Sequence, residues 1–195
     1  MPTLIVLQLE NSLAIPIPDG YSWTLASRLG DMLFHAEAMF GSRDKSHTVL
    51  GVEFVKGDIP RIWYPKNCGN VVVQLTEHAM TDNNRACYQL AHEVIHLLAP
   101  TGRAVANVFE EGLATWFASW YMATQMGQPM WKPNIPSYQA AMEAVRGLLE
   151  TSPDAVKKLR ATQPAISLLQ PDDLRSAFTS LNQDDAERLC GKFSR

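Results

Sequence analysis

A chain of 195 residues, 46% of them apolar and 19% charged, is the size of one globular domain able to bury a core without disulfide support. Its net charge of −3 leaves no basic excess for a nucleic-acid surface, and no apolar run approaches the ~18 residues of a membrane span. Three widely spaced cysteines, Cys68, Cys87 and Cys190, read as reduced thiols, and the N-terminal run carries no basic leader or cleavage site, so a cytoplasmic protein is expected, with leaderless secretion as the alternative.

Residues 3–9 predict a strand, followed by a turn-rich loop at Pro16, Pro18 and Gly20. Residues 22–40 predict a helix with Trp23, Ala26, Leu29, Leu33, Met39 and Phe40 close in phase, ended by Gly41. His35 in that helix and His47 in the polar loop after it have no partner at ligand spacing and read as ordinary surface or core histidines. Runs 48–55, 59–64 and 70–75 predict strands. A helix is predicted from Asp82 to about Ala99, capped by Thr81 or Asp82 and stopped by Pro100. A second follows over 104–126. Gly127 to Pro136 is a Pro-rich connection too rigid and apolar for a disordered linker, expected to pack across the body or rim a cleft. The remainder, 137–191, predicts short helices punctuated by Pro153, Pro164 and Pro171, with no identifiable chemistry of its own. The organisation expected is one domain over 1–195: an N-terminal α/β part (1–66), a catalytic core (67–126) and a helical C-terminal part (137–191).

The chemistry is concentrated in His92-Glu93-Val94-Ile95-His96. Residues four apart on a helix share a face, with Cβ atoms about 5–6 Å apart, so two imidazoles at that spacing converge on one Zn²⁺. Glu93 stands about 100° round the helix, badly placed as a ligand but well placed to reach water in an open metal position. Helical phase puts Arg85, Gln89, His92 and His96 on one polar stripe, with Cys87, Leu90, Ala91, Val94, Leu97 and Leu98 opposite it. A solvent-facing helix that happens to carry two histidines would not need such a back.

Catalytic zinc normally takes three protein ligands. Gly102 stands where a metzincin-type third His would be, and the surroundings of Cys68 do not resemble the motif of a deformylase-like Cys. Glu110-Glu111-Gly112-Leu113-Ala114 offers two carboxylates instead. Phase leaves both in play: Glu110 borders the apolar stripe of Phe109, Leu113, Trp116, Phe117 and Trp120. Glu111 lies with Ala114, Thr115, Ala118 and Met122, small enough for the most part to let that side approach the first helix closely.

With these two motifs, residues 70–125 resemble the gluzincin zinc peptidases, and Glu-Gly-Leu-Ala is close to the version seen in aminopeptidase-N-like members. The resemblance implies an α+β zincin-like fold: a small mixed sheet with an edge strand packed on the zinc helix, a second Glu-bearing helix, then a helical C-terminal region. It implies His92, His96 and Glu111 as zinc ligands, with Glu110 a neighbour, Glu93 as general base, and an extended peptide or protein substrate lying along the edge strand. Val71 to Leu75 is the candidate edge, although three consecutive valines fit a buried core strand equally well. Two family features are missing: Thr115 stands where thermolysin-like relatives carry an Asp, and no Gly-x-Met-x-Asn segment precedes the helix. Without that amine-binding segment, cleavage inside peptide chains is expected. A further oxyanion donor is required; Tyr121, Tyr138, His78 and Arg85 are candidates, the tyrosines reading equally as packing residues. The alternative is a zincin-like interaction or regulatory protein that keeps the metal site and cleaves nothing efficiently. No nucleic-acid or membrane partner is expected, and nothing in the sequence specifies an oligomeric state.

Overall fold

The computed structural model describes residues 16–17, 20–21, 24–66, 69–102 and 105–195, so the predicted strand over 3–9 and Cys68 lie outside it. Two short strands, β1 (Pro16–Ile17) and β2 (Gly20–Tyr21), pair antiparallel ahead of helix α1 (Leu25–Phe40). Thr24 and Ser27 form a reciprocal capping box at the start of α1, and Gly41 closes it with φ 89°, a conformation natural to glycine. The buried stripe is Leu29, Met32, Ala36 and Phe40, so Ala26, expected to share it, instead faces solvent.

Three further strands make a mixed sheet: β3 (Thr48–Val55), β4 (Arg61–Trp63) and β5 (Asn70–Thr76), in the order β3-β5-β4. β5 runs parallel to β3 and antiparallel to β4. This corrects the expectation that Val71 to Leu75 form the exposed edge. β5 is the central strand, and Val71, Val73 and Leu75 are fully buried. The run of valines marks a strand with both neighbours filled, as buried strands read. The edge on that side is β4. Its outward Arg61 is held by a cross-strand ladder, Nε donating to Gln74 Oε1 at 2.7 Å while Gln74 Nε2 donates to Glu53 Oε1 at 2.7 Å.

Helix α2 (Asn83–His96) carries the histidines. Asp82 is its cap, accepting from the Arg85 backbone N–H at 3.0 Å. Cys87, Leu90, Ala91, Val94, Leu97 and Leu98 are all fully buried, as helical phase requires. The helix stops three residues before Ala99: Leu98 N donates to Ile95 O in a tightened last turn, Leu98 O accepts from the Asp44 N–H and from Arg160 Nη2, and Pro100 disfavours a helical Ala99.

Helix α3 (Val108–Thr124) starts four residues later than predicted, capped by Asn107. That side chain both caps Glu110 N at 2.8 Å and donates to Ile166 O at 2.9 Å. Helix α4 (Pro136–Thr151) begins with proline at its first position, and α5 (Ala155–Thr162), α6 (Pro171–Ala177) and α7 (Gln183–Cys190) complete the chain. α3 and α4 touch backbone to backbone at Gly112, where a Cβ would stand 2.4 Å from Ala141 O. From α5, the buried Arg160 guanidinium donates to the carbonyls of Phe40, Gly41, Ser42, Leu98 and Pro164, tying together the C-terminal ends of α1 and α2. Among the described residues no helix is long and apolar enough to cross a membrane. The architecture is α+β, with seven α-helices and a small mixed sheet among the described residues.

Candidate metal centre

The i, i+4 spacing on α2 places both imidazoles on one face of the helix. The His92 and His96 rings lie 5.3 Å apart, centroid to centroid, on the helix face turned toward the first turn of α3. Glu111 reaches both: Oε2 is 3.1 Å from His92 Nε2, and Oε1 is 3.8 Å from His96 Nε2. The three side chains expose only 11, 17 and 12% of their surface. One ligand atom from each lies within 4.8 Å of the other two, so His92, His96 and Glu111 could hold a metal ion. Donors at about 2.0–2.1 Å from a tetrahedral ion stand about 3.3 Å from one another, so the observed separations fit with small side-chain movement.

Glu110 faces the same way with a different partner. Its Oε1 is 3.1 Å from His96 Nδ1, the nitrogen turned away from the cluster. A carboxylate on the far nitrogen fixes the ring and its tautomer, leaving Nε2 for the ion. Both glutamates therefore face α2, which phase alone left unresolved: the second histidine meets one on each of its nitrogens. Thr115, where a family Asp would stand, turns back on its own helix, its Oγ1 donating to Glu111 O at 2.7 Å.

Electrostatics separates these groups. Burial pushes the Glu93 carboxyl up, with the His96 and His92 charges pulling against it. For His96 burial acts downward, but the Glu110 hydrogen bond and the charges of Glu110, Glu111 and Glu93 prevail and carry it up to about 10. Burial likewise opposes ionisation of Glu111, yet its hydrogen bond and charge pairing with His92 draw it down to about 2. The Glu111 carboxylate is thus held as an anion while Glu93 is made more basic.

The cluster opens onto a cleft of about 810 Å³. One wall runs from Asp58 through Arg61 and Ile62 to Tyr64, along the β4 edge; another is the Pro-rich connection from Trp131 to Ile135, which does rim the cleft. Gln89, on the polar stripe, is spent on structure: its Oε1 accepts from Thr76 N at 3.0 Å, joining α2 to the end of β5.

Of the candidate oxyanion donors, Tyr138 is brought to the cluster, its ring edge-on to His92 with centroids 5.7 Å apart. Burial and the Glu111 charge raise its phenol, so it stays a proton donor. Tyr121 does not belong to the site. Its hydroxyl donates to Asp31 Oδ2 and accepts from Arg28 Nη1. Ten residues separate it from Glu111, about 15 Å along a helix axis. His78 and Arg85 do line the cleft, beside Asp58 at 3.8 Å and Asp82 at 3.5 Å respectively. His35 packs beside Trp120 and His47 beside Tyr64, neither in the cluster.

One residue at the cleft carries no local signal in the sequence. Arg195 lines it, with Nε donating to the Tyr138 hydroxyl at 2.9 Å. Comparison with protein-family models, with curated proteins and with solved structures finds no match.

Proposed function

We propose that the chain is a zinc metallopeptidase of the gluzincin type that cleaves within peptide chains. The observation that carries the reading is the convergence of His92, His96 and Glu111 on one point, with the basic carboxylate Glu93 beside them in the same cleft. Two imidazoles and a carboxylate are a donor set that zinc accepts in catalytic sites. Zinc held there would supply a Lewis acid that acidifies water toward pH ~7 and polarises a carbonyl oxygen. Glu93 takes the proton of the attacking water and delivers it to the departing amine; its upward-shifted carboxyl suits a group that must hold that proton between the two steps. Tyr138 donates its phenolic hydrogen to the oxygen on which charge develops. Glu110 acts through His96, keeping the ring in register. An extended substrate would add to the outer edge of β4, which pairs with no second strand among the described residues and where main-chain hydrogen bonds supply affinity without dictating sequence.

Glu93→Gln tests the reading. It keeps the shape of the side chain and all three ligands but removes the basic carboxylate. Zinc content and melting temperature should stay at wild-type values while hydrolysis of an unstructured peptide mixture falls by about 10²-fold or more. A wild-type protein, fully loaded with zinc, that leaves such a mixture intact would refute the assignment.

A further inference from the structure

Arg195 is not needed by any step above, yet this exposed side chain lines the cleft and is hydrogen-bonded to Tyr138. The segment leading to it is tied to the start of the ligand helix: Val108 N donates to Gly191 O at 3.0 Å, Lys192 bridges Asn107, and Phe193 N donates to Ala106 O at 3.2 Å. The Phe193 ring then packs on Tyr138, centroids 4.7 Å apart. These contacts leave the guanidinium over Tyr138, close enough to Glu93 and Glu111 for its charge to act on both.

We propose that Arg195 anchors a substrate carboxylate, so that the cleft selects peptides carrying a negative charge close to the bond that is cut. The inference rests on the peptidase reading and names the substrate class for it. Nε is the one nitrogen engaged by a hydrogen bond among the described residues, on Tyr138. The two terminal nitrogens and their four N–H groups remain for a ligand, in the fork geometry that matches a carboxylate. Charge around the cleft agrees. Of the carboxylates in its lining, Glu93, Glu110 and Glu111 belong to the cluster, leaving Asp58 to face Arg61, Arg85, Lys132 and Arg195. Outside the cluster the lining is therefore cationic on balance, and a cleft focuses the field of such groups on its ligand. The carboxylate can come from an Asp or Glu side chain or from a peptide C-terminus; the chemistry is the same.

The test measures binding to the zinc-loaded full chain carrying Glu93→Gln, by fluorescence anisotropy of labelled unstructured peptides. One matched pair differs by Glu against Gln beside the central bond, the other by a free C-terminal carboxylate against its amide. At least one carboxylate peptide should bind about tenfold or more tightly than its neutral partner, and the pair that shows the difference identifies the source. Arg195→Gln should bring the two members of that pair to within about twofold of each other, and Arg195→Lys should restore part of the preference. Equal affinities within both pairs, a preference that survives Arg195→Gln, or no measurable binding of any peptide would each overturn the proposal. Because the readout is binding, its result is separate from turnover: a wild-type chain inert toward every peptide but retaining the Arg195-dependent preference would refute the peptidase reading and leave the carboxylate site standing.

Discussion

In the proposed site the sequence neighbours Glu110 and Glu111 have different duties, and their variants should separate them. Glu111→Gln removes the proposed ligand and should abolish stable zinc binding. Glu110→Gln removes only the partner of His96 Nδ1, a change that typically weakens metal binding by about 10–100-fold. Dialysis against a graded chelator series reads both; a larger loss in Glu110→Gln would exchange the two roles. The same residue governs a pH dependence. With metal stripped by a chelator, His96 titrates at about 10 against 6.5 in an unfolded chain. A basic group raised by folding stabilises the fold fully below its unfolded value and loses that contribution as pH climbs through the folded value. The stripped protein should therefore lose melting temperature between pH 6.5 and about 10, and Glu110→Gln should flatten that fall. Zinc must displace the His96 proton, so binding near pH 7.5 should release about one proton, read by calorimetry in buffers of differing ionisation enthalpy.

At the scale of elements, local periodicity carries far and strand order does not follow from it. The α2 stripe, its buried back and its cap at Asp82 follow from a 3.6-residue period and one turn of hydrogen bonds, both confined to a dozen residues. That β5 is central and β4 an edge depends on which strands meet; the three valines of 71–73 are compatible with burial but do not name the neighbours on either side. Tyr121 and Tyr138 are likewise alike in sequence. What separates them is the packing of α4 back over α3, where Gly112 admits Ala141 O. Nothing around Glu111-Gly112 discloses that the glycine serves this contact; Arg195 is reached by an equally long-range path. Gly112→Ala forces a carbonyl and a methyl group to part, which should cost about 1–3 kcal/mol or more. Melting temperature should drop by several degrees, because the close contact with Ala141 O must open. An unchanged melting curve would show that the helices yield there freely.

Across the whole molecule, the helical C-terminal part is no passive cap. It supplies Tyr138 beside the metal cluster and, from α5, the guanidinium that gathers carbonyls at the ends of α1 and α2. Arg160→Met keeps the length of the side chain and strands those carbonyls. Since hydrogen bonds to charged groups contribute about 1.5–3 kcal/mol each, a loss of at least ~3 kcal/mol is expected in urea unfolding. A variant within 1 kcal/mol of wild type would mean the carbonyls find water instead. The close approach at Gly112 has a further bearing on motion. Two helices in backbone contact have no side-chain layer between them to shear across, so the wall that carries Tyr138 is fixed to the metal cluster. The facing wall is β4, a strand of three residues paired only with β5 among the described residues and entered through Gly57 at φ 139°. Breathing of the cleft is thereby assigned to one side: amide exchange should be fast along 57–64 and slow through α3 and α4, and bulky ligands should be admitted by displacement of the strand while His92, His96 and Glu111 keep their spacing.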